Sequence, residues 1–353
     1  MVSDVGFMSS LDFFIKWRRK RFLVTLILIT SALLIVFLTH LSLGYRVLNP
    51  LEVFASGVMQ VISHDLGVEG YRLLRALAAV VVGATLAFSG YLMQVTTKNP
   101  LADPYILGVS SGALFVVVLS FMFAQPANHP LAIALRTLTA FSGGILAYLL
   151  TMLIASKAGT TPTSVLLAGV AVGTFFYSAS LLPQYVMFQD IHKLIAWSMG
   201  SFVSPSPEVL ALLIIVSATA LIYIYFIRGP LNNLQISDDF VRQAGCNPMN
   251  LRRHLTLLAS LLASVSVAWF GVIGFVGLAA PHISRRVLRT SGLVYVLPTS
   301  LVLGSLILIT SDLIGKTLVP PIEIPVNVIA SMIGAPTLAL AIVELRRYGS
   351  GGS

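Results

Sequence analysis

Runs of apolar residues long enough to cross the ~30 Å hydrocarbon core of a bilayer dominate this chain and constrain it more than any motif. They lie near Phe22 to Leu43, Leu73 to Val95, Tyr105 to Phe123, Leu131 to Ser156, Thr163 to Phe188, Val209 to Ile227, Leu293 to Ile314 and Pro325 to Leu345. Inside lipid, backbone polar groups have to be satisfied without water, and continuous apolar runs of this length do so as helices. Composition agrees: 57% of the 353 residues are hydrophobic and 10% are charged, where a soluble domain carries about a quarter charged residues. The sequence predicts an all-α polytopic membrane protein. Its first run is too long for the apolar core of a cleavable signal and no A-x-A site follows it, so it reads as a first transmembrane helix.

The net charge of +9 invites a nucleic-acid reading, yet Lys and Arg cluster between the apolar runs instead of covering one solvated face. Such clusters mark the cytoplasmic side. The 27-residue stretch Leu255 to Pro281 is uncharged and flanked on both sides by arginines: Arg252 and Arg253 before it, Arg285, Arg286 and Arg289 after it. Both of its ends therefore belong inside, and it must fold as a hairpin turning near Phe270 to Gly274. With it the count becomes about ten transmembrane helices, both termini cytoplasmic. On this topology the Lys and Arg outside the inner clusters are Arg46, Arg72, Arg75, Arg136, Lys193 and Lys316. Arg72 and Arg75, three apart and so on one helix face, oppose the orienting trend.

The expected organisation is a basic cytoplasmic N-terminus (1–21), a single transmembrane domain (22–348) and a linker-like tail (349–353). Within the domain, 228–254 is a hydrophilic loop, with Gly245 and Pro248 as breakers between two short helix-like pieces, and it reads either as a docking loop or as an ordinary connecting loop. The spacings Gly108 to Gly112 and Gly169 to Gly173 allow close helix contact.

Catalytic chemistry finds no support. Gly315 to Thr317 spells GKT, but a phosphate loop needs a glycine where Thr310 stands. Neither H-E-x-x-H nor G-x-S-x-G occurs, the six histidines lack metal-ligand spacing, and Cys246 is the single cysteine. ATP hydrolysis, if it powers this protein, belongs to another chain. Among ionisable residues near the spans, Arg136 reads as a snorkelling side chain, and Asp312 and Lys316, four apart, read as a pair. Together with Glu323 they offer little to a proton- or ion-coupled carrier.

Several stretches resemble one family, the FecCD-type permeases of type II ABC importers for vitamin B12, iron-siderophore complexes and haem. They are GATLAFSGYLMQVTTKNPLADPYILGVSSGA (Gly83 to Ala113), LLAGVAV (Leu166 to Val172), WSMGSF (Trp197 to Phe202), GVIGFVGLAAPHISRRVL (Gly271 to Leu288) and SDLIGKTLVPPIEIPVNVIASMIGAPTLALAI (Ser311 to Ile342), in the family's order. The resemblance implies a ten-helix subunit working as a homodimer with two cytoplasmic ABC ATPase subunits, which hold the ATP and Mg, and an external substrate-binding protein. It implies docking of that protein on Arg72, Arg75 and Lys316. ATPase coupling falls to Asp238, Arg242, Gly245, Asn247, Pro281, His282 and Arg285, and a dimer-axis pathway to Leu166, Gly169, Val172, Asn327 and Met332. Leu74, Lys316, Asn327 and Thr337 depart from the usual pattern. The function implied is import of a metal chelate (ferric siderophore, haem or cobalamin) across a prokaryotic inner membrane by alternating access. The alternatives are an oxyanion such as molybdate as cargo, or a self-sufficient secondary carrier or channel.

Overall fold

Three helices open with an Asn-Pro or Ser-Pro step, at Asn49, Ser206 and Asn247. At each the side-chain oxygen accepts a backbone N–H of the first turn, while the proline occupies a position that needs no donor. The computed structural model describes residues 2–44, 46–123, 130–159, 162–186, 195, 197–203 and 205–349. Lys193, His129, His192, positions 187–188 of the fifth run and positions 350–353 of the linker-like tail lie outside the described residues. Among the described residues the chain forms thirteen helices: α1 (Val2–Ser42), α2 (Pro50–Ile62), α3 (Val68–Thr97), α4 (Val109–Phe121), α5 (Pro130–Lys157), α6 (Pro162–Val186), α7 (Pro207–Phe226), α8 (Arg228–Ile236), α9 (Asp238–Gln243), α10 (Pro248–Phe270), α11 (Val276–Leu288), α12 (Leu293–Thr317) and α13 (Val326–Gly349). Seven of them, α1, α3, α5, α6, α7, α10 and α12, contain stretches long and apolar enough to cross a membrane. The fold is all-α and polytopic.

Helix α3 is the axis of the bundle, packed against α12, α10, α2 and α11. Lipid does not drive apolar surfaces together, so close backbone approach and hydrogen bonds between helices have to. At the α3–α12 crossing Gly83 faces Gly304, and a Cβ on either would run into the other's carbonyl oxygen. Beside it Ser305 Oγ donates to Val80 O at 2.7 Å. Further along, Ser89 Oγ donates to Ala259 O of α10 at 2.5 Å, and Thr85 Oγ1 lies 2.8 Å from Ser217 Oγ of α7. The two small-residue motifs meet each other: Gly108, with φ +80°, lies against Gly173.

Two expected spans are shorter than their apolar runs. Helix α4 begins only at Val109, because Lys98 turns into the left-handed region and residues 98–108 run as turns and coil through Pro100 and Pro104. Its 13 residues rise about 20 Å, short of the hydrocarbon core. The hairpin turns where expected: α10 ends at Phe270 and Gly271 carries φ +73°. The returning limb, α11, has 13 residues and is likewise a part-span. Helix α2 was not anticipated. It buries Val53 and Gly57 against α3 and leaves Leu51, Phe54, Met59 and Ile62 exposed, the pattern of a helix lying in an interface. In the hydrophilic segment the break between the two short helices falls at Ser237, extended at φ −160° and capping Phe240 N–H, whereas Gly245 and Asn247 separate α9 from α10.

Candidate functional site

Predicted site residues collect at opposite ends of the bundle. At one end α3 presents Arg72 and Arg75, and both side chains are buried inside the subunit. The Arg72 guanidinium donates to the carbonyls of Leu41 (3.1 Å), Ser42 (2.9 Å) and Arg46 (2.6 Å), so it satisfies orphan acceptors where α1 ends. Arg75 makes two bidentate contacts. Its Nε and Nη2 donate to Asp312 at 2.9 Å each, and its Nη1 and Nη2 donate to Glu323 at 2.9 and 2.8 Å. Asp312 also meets His40 Nε2 at 2.8 Å, while Lys316 Nζ donates to His40 O at 2.7 Å and lies 3.2 Å from His40 Nδ1. The expected Asp312–Lys316 pair is thus replaced: Asp312 turns to Arg75 and His40, and Lys316 turns to His40. Glu323, with 41% side-chain exposure, is the acidic member that reaches solvent.

Arg136 does not snorkel. Its guanidinium lies over the rings of Trp269 (4.3 Å), Phe121 (4.7 Å) and Trp197 (5.3 Å), a cation–π enclosure. Periodicity could not reveal it, because the three rings come from three distant segments.

At the other end, the basic one, Asp238, Arg242, Gly245 and Asn247 line a recess of about 600 Å³ between α9 and the start of α10. The recess is tied to the bundle by ion pairs: Asp238 Oδ1 accepts from Lys98 Nζ and from Arg252 Nη2, both at 2.8 Å. Arg252 also donates to Thr96 O. Hydrogen bonds from Lys98 and Arg252 hold the Asp238 carboxyl well below the usual range, at about 2. Pro281, His282 and Arg285 are not in the recess. They lie on α11, where Pro281 is buried and Arg285 donates to Gln94 Oε1 of α3.

The pathway residues divide. Leu166 lines a cavity at the basic end, Gly169 lies against the Ile106 carbonyl beside a smaller hollow with Tyr105 and Tyr177, and Val172 is buried with Ala147 and Phe176. Met332 is exposed on α13. Asn327 Oδ1 accepts Gly274 N–H at 2.8 Å, which clamps the start of α13 to the hairpin turn. Asp103 escaped the sequence reading. It is buried beside the backbone N–H groups of Tyr105 and Phe275, the latter at the N-terminus of α11, while its Oδ2 has no hydrogen-bond partner among the described residues. Its neighbourhood between prolines in NPLADP was the available signal. Among the described residues no group of three His, Cys, Asp or Glu side chains could hold a metal ion.

Comparison with known proteins places this architecture. The model of the FecCD transport family matches residues 32–344, and the chain belongs to that family. It is 32% identical to the vitamin B12 import system permease of Vibrio cholerae over 93% of this chain and 95% of that one. It is 34% identical to the hemin transport system permease of Yersinia pestis over 79% and 84% of the two chains. A solved inward-facing structure, described as of a metal-chelate type ABC transporter, superposes with a TM-score of 0.72 at 26% identity, covering 91% of this chain and 99% of that one. The chain is a membrane permease subunit of an ABC importer, and it contains no ATPase motif of its own.

Proposed function

We propose that this permease moves a metal chelate (a ferric siderophore, haem or cobalamin) into the cell by alternating access along the axis of a homodimer. Two ABC ATPases would sit at the basic end and a binding protein at the other. The observation that carries the reading is the recess at the basic end: four residues predicted for ATPase coupling converge there and are tied through Lys98, Asp238 and Arg252 to the end of the central helix. A push on α9 would therefore reach α3 directly. Clustered Lys and Arg support a cytoplasmic placing of this end, both termini inside and ten crossings, with α4 and α11 as part-spans buried in protein. The exposed stripe of α6 (Leu167, Val170, Tyr177) and Met332 of α13 would face the partner and the pathway. Ferric chelates, haem and cobalamin are favoured as cargo by the relatives' names.

Docking of the binding protein engages Arg75 by competition. Glu323 covers Arg75 in the free subunit, so an acidic side chain of the arriving protein takes its place, while Arg72 and Lys316 hold the frame around α1. Arg242→Glu, at the recess, tests the coupling role. Co-purification of the ATPase subunits should fall several-fold, while Arg46→Glu at the opposite end leaves it unchanged. Full ATPase retention by Arg242→Glu together with undiminished ATP-driven uptake would refute the assignment of the recess.

A further inference from the structure

A second hollow at the basic end borders the coupling tether through Thr96 and Arg252 but lies apart from the recess. It encloses about 700 Å³ at the basic end, among α3, α5, α6 and α10, a size typical of small-molecule sites. Its walls are Ile145, Leu149 and Met152 of α5, Val165 and Leu166 of α6 and Leu257 of α10. Ile145 and Ser156 both line it, so it runs about 16 Å along α5 at 1.5 Å per residue, well into the apolar layer.

Most polar groups along the walls are already engaged. Thr96 and Thr97 hydroxyls donate to Met93 O, Asn99 Oδ1 accepts Leu101 N–H, and Tyr148 is hydrogen-bonded with Thr256. A peptide segment inserted here would lose water from its own N–H and C=O groups and find few replacements, which costs several kcal/mol for each group left unpaired. A hydrocarbon chain has no such groups.

The mouth differs. Arg252 and Arg253 line it, and Lys157 follows the lining residue Ser156. Arg252 is committed to Thr96 and Asp238. Among the described residues Arg253 and Lys157 have no ion pair or hydrogen bond from their side chains, and both are exposed. Asp238, the acid at hand, is shared by Lys98 and Arg252. The entrance is thus cationic over an apolar slot.

We propose that this cavity is a binding site for one anionic phospholipid, an acyl chain lying between α5, α6 and α10 and the phosphate meeting Arg253 and Lys157. Basic pockets between transmembrane helices capture such headgroups. The inference needs only that this end of the helices meets a membrane–water boundary, which either orientation of the chain provides. It is therefore independent of the cargo and of the direction of transport.

The test uses the complete complex of permease and ATPase subunits, stripped of lipid in mild detergent. Retention of added dioleoyl phosphatidylglycerol or dioleoyl phosphatidylcholine is counted by native mass spectrometry, and thermal stability is read in parallel. Wild type should hold the anionic lipid about tenfold more tightly. Arg253→Glu with Lys157→Glu should erase that preference, and Leu149→Trp, which fills the slot from an exposed position, should lower retention of both lipids. Helix content by circular dichroism confirms that the variants are folded. Equal preference in wild type and the charge-reversed variant would overturn the proposal in favour of general annular lipid. Stabilisation by glycerol 3-phosphate as strong as that by the lipid would reduce the site to one for a free anion. Lipid bound by the permease alone but expelled when the ATPases assemble would give the cavity to the ATPase instead.

Discussion

Asp312 has about 1% side-chain exposure, and a carboxylate at that depth persists only because Arg75 and His40 take up its lone pairs. Removing one partner of such a pair leaves an uncompensated charge, typically costing about 3–5 kcal/mol. Asp312→Asn should therefore lower the thermal midpoint of the detergent-solubilised permease clearly. Glu323→Gln, at an exposed position, should cost less than about 1 kcal/mol. Equal losses in the two variants would contradict the assigned geometry. Glu323→Gln should also tighten binding-protein docking, because Arg75 is then uncovered; surface plasmon resonance showing unchanged or weaker docking would refute competition at Arg75. That two arginines at the start of α3 are special was legible from their place against the charge trend. Their destinations were not, since Asp312 is 237 residues away from Arg75 along the chain and nothing local says that α1, α3 and α12 meet. Arg136 misled for the same reason: its aromatic enclosure depends on Trp197 and Trp269 arriving from elsewhere.

Helices pack here through backbone contact as much as through side chains. At Gly304 an added Cβ would meet the Gly83 carbonyl and Ala87 Cβ, whereas at Gly229 of α8 it would meet nothing within 4 Å. Gly304→Ala should then cost about 1–3 kcal/mol through forced separation of α3 and α12, and Gly229→Ala should be neutral or slightly stabilising. Thermal unfolding of the pair decides it. The tether of α9 is electrostatic and has a definite pH window. Asp238 is depressed to about 2 against about 3.9 in an unfolded chain. Its contribution is fully present above about pH 4 and disappears as the pH falls through about 2. Protease cleavage in the segment between α8 and α10 should accordingly be constant from neutral to mildly acidic pH in wild type, while Asp238→Asn shows faster cleavage already at neutral pH. Long helices and the hairpin turn were readable because apolar continuity and flanking charge are local signals. Helix α2 and the shortness of α4 and α11 were not: an apolar run records that residues avoid water, and it does not record whether protein or lipid surrounds them. The coil before α4 is apolar because it is buried among helices.

The assembled subunit divides its labour between two ends. One holds a buried ionic frame whose acidic cover, Glu323, reaches solvent; the other holds a recess fastened by ion pairs to the central helix. As the permease subunit of an ABC importer, the chain works through contact with separate ATPases, and α3 joins the two ends in a single helix of 30 residues, about 45 Å at 1.5 Å per residue. The most direct measurement is uptake of a metal chelate into vesicles containing the permease with its ATPases, with the loaded binding protein added on the side of Glu323. Accumulation should require ATP on the side of the recess and the binding protein together, and should vanish when either is omitted. Accumulation by the permease alone, driven by an ion gradient without ATPases, would contradict the assignment.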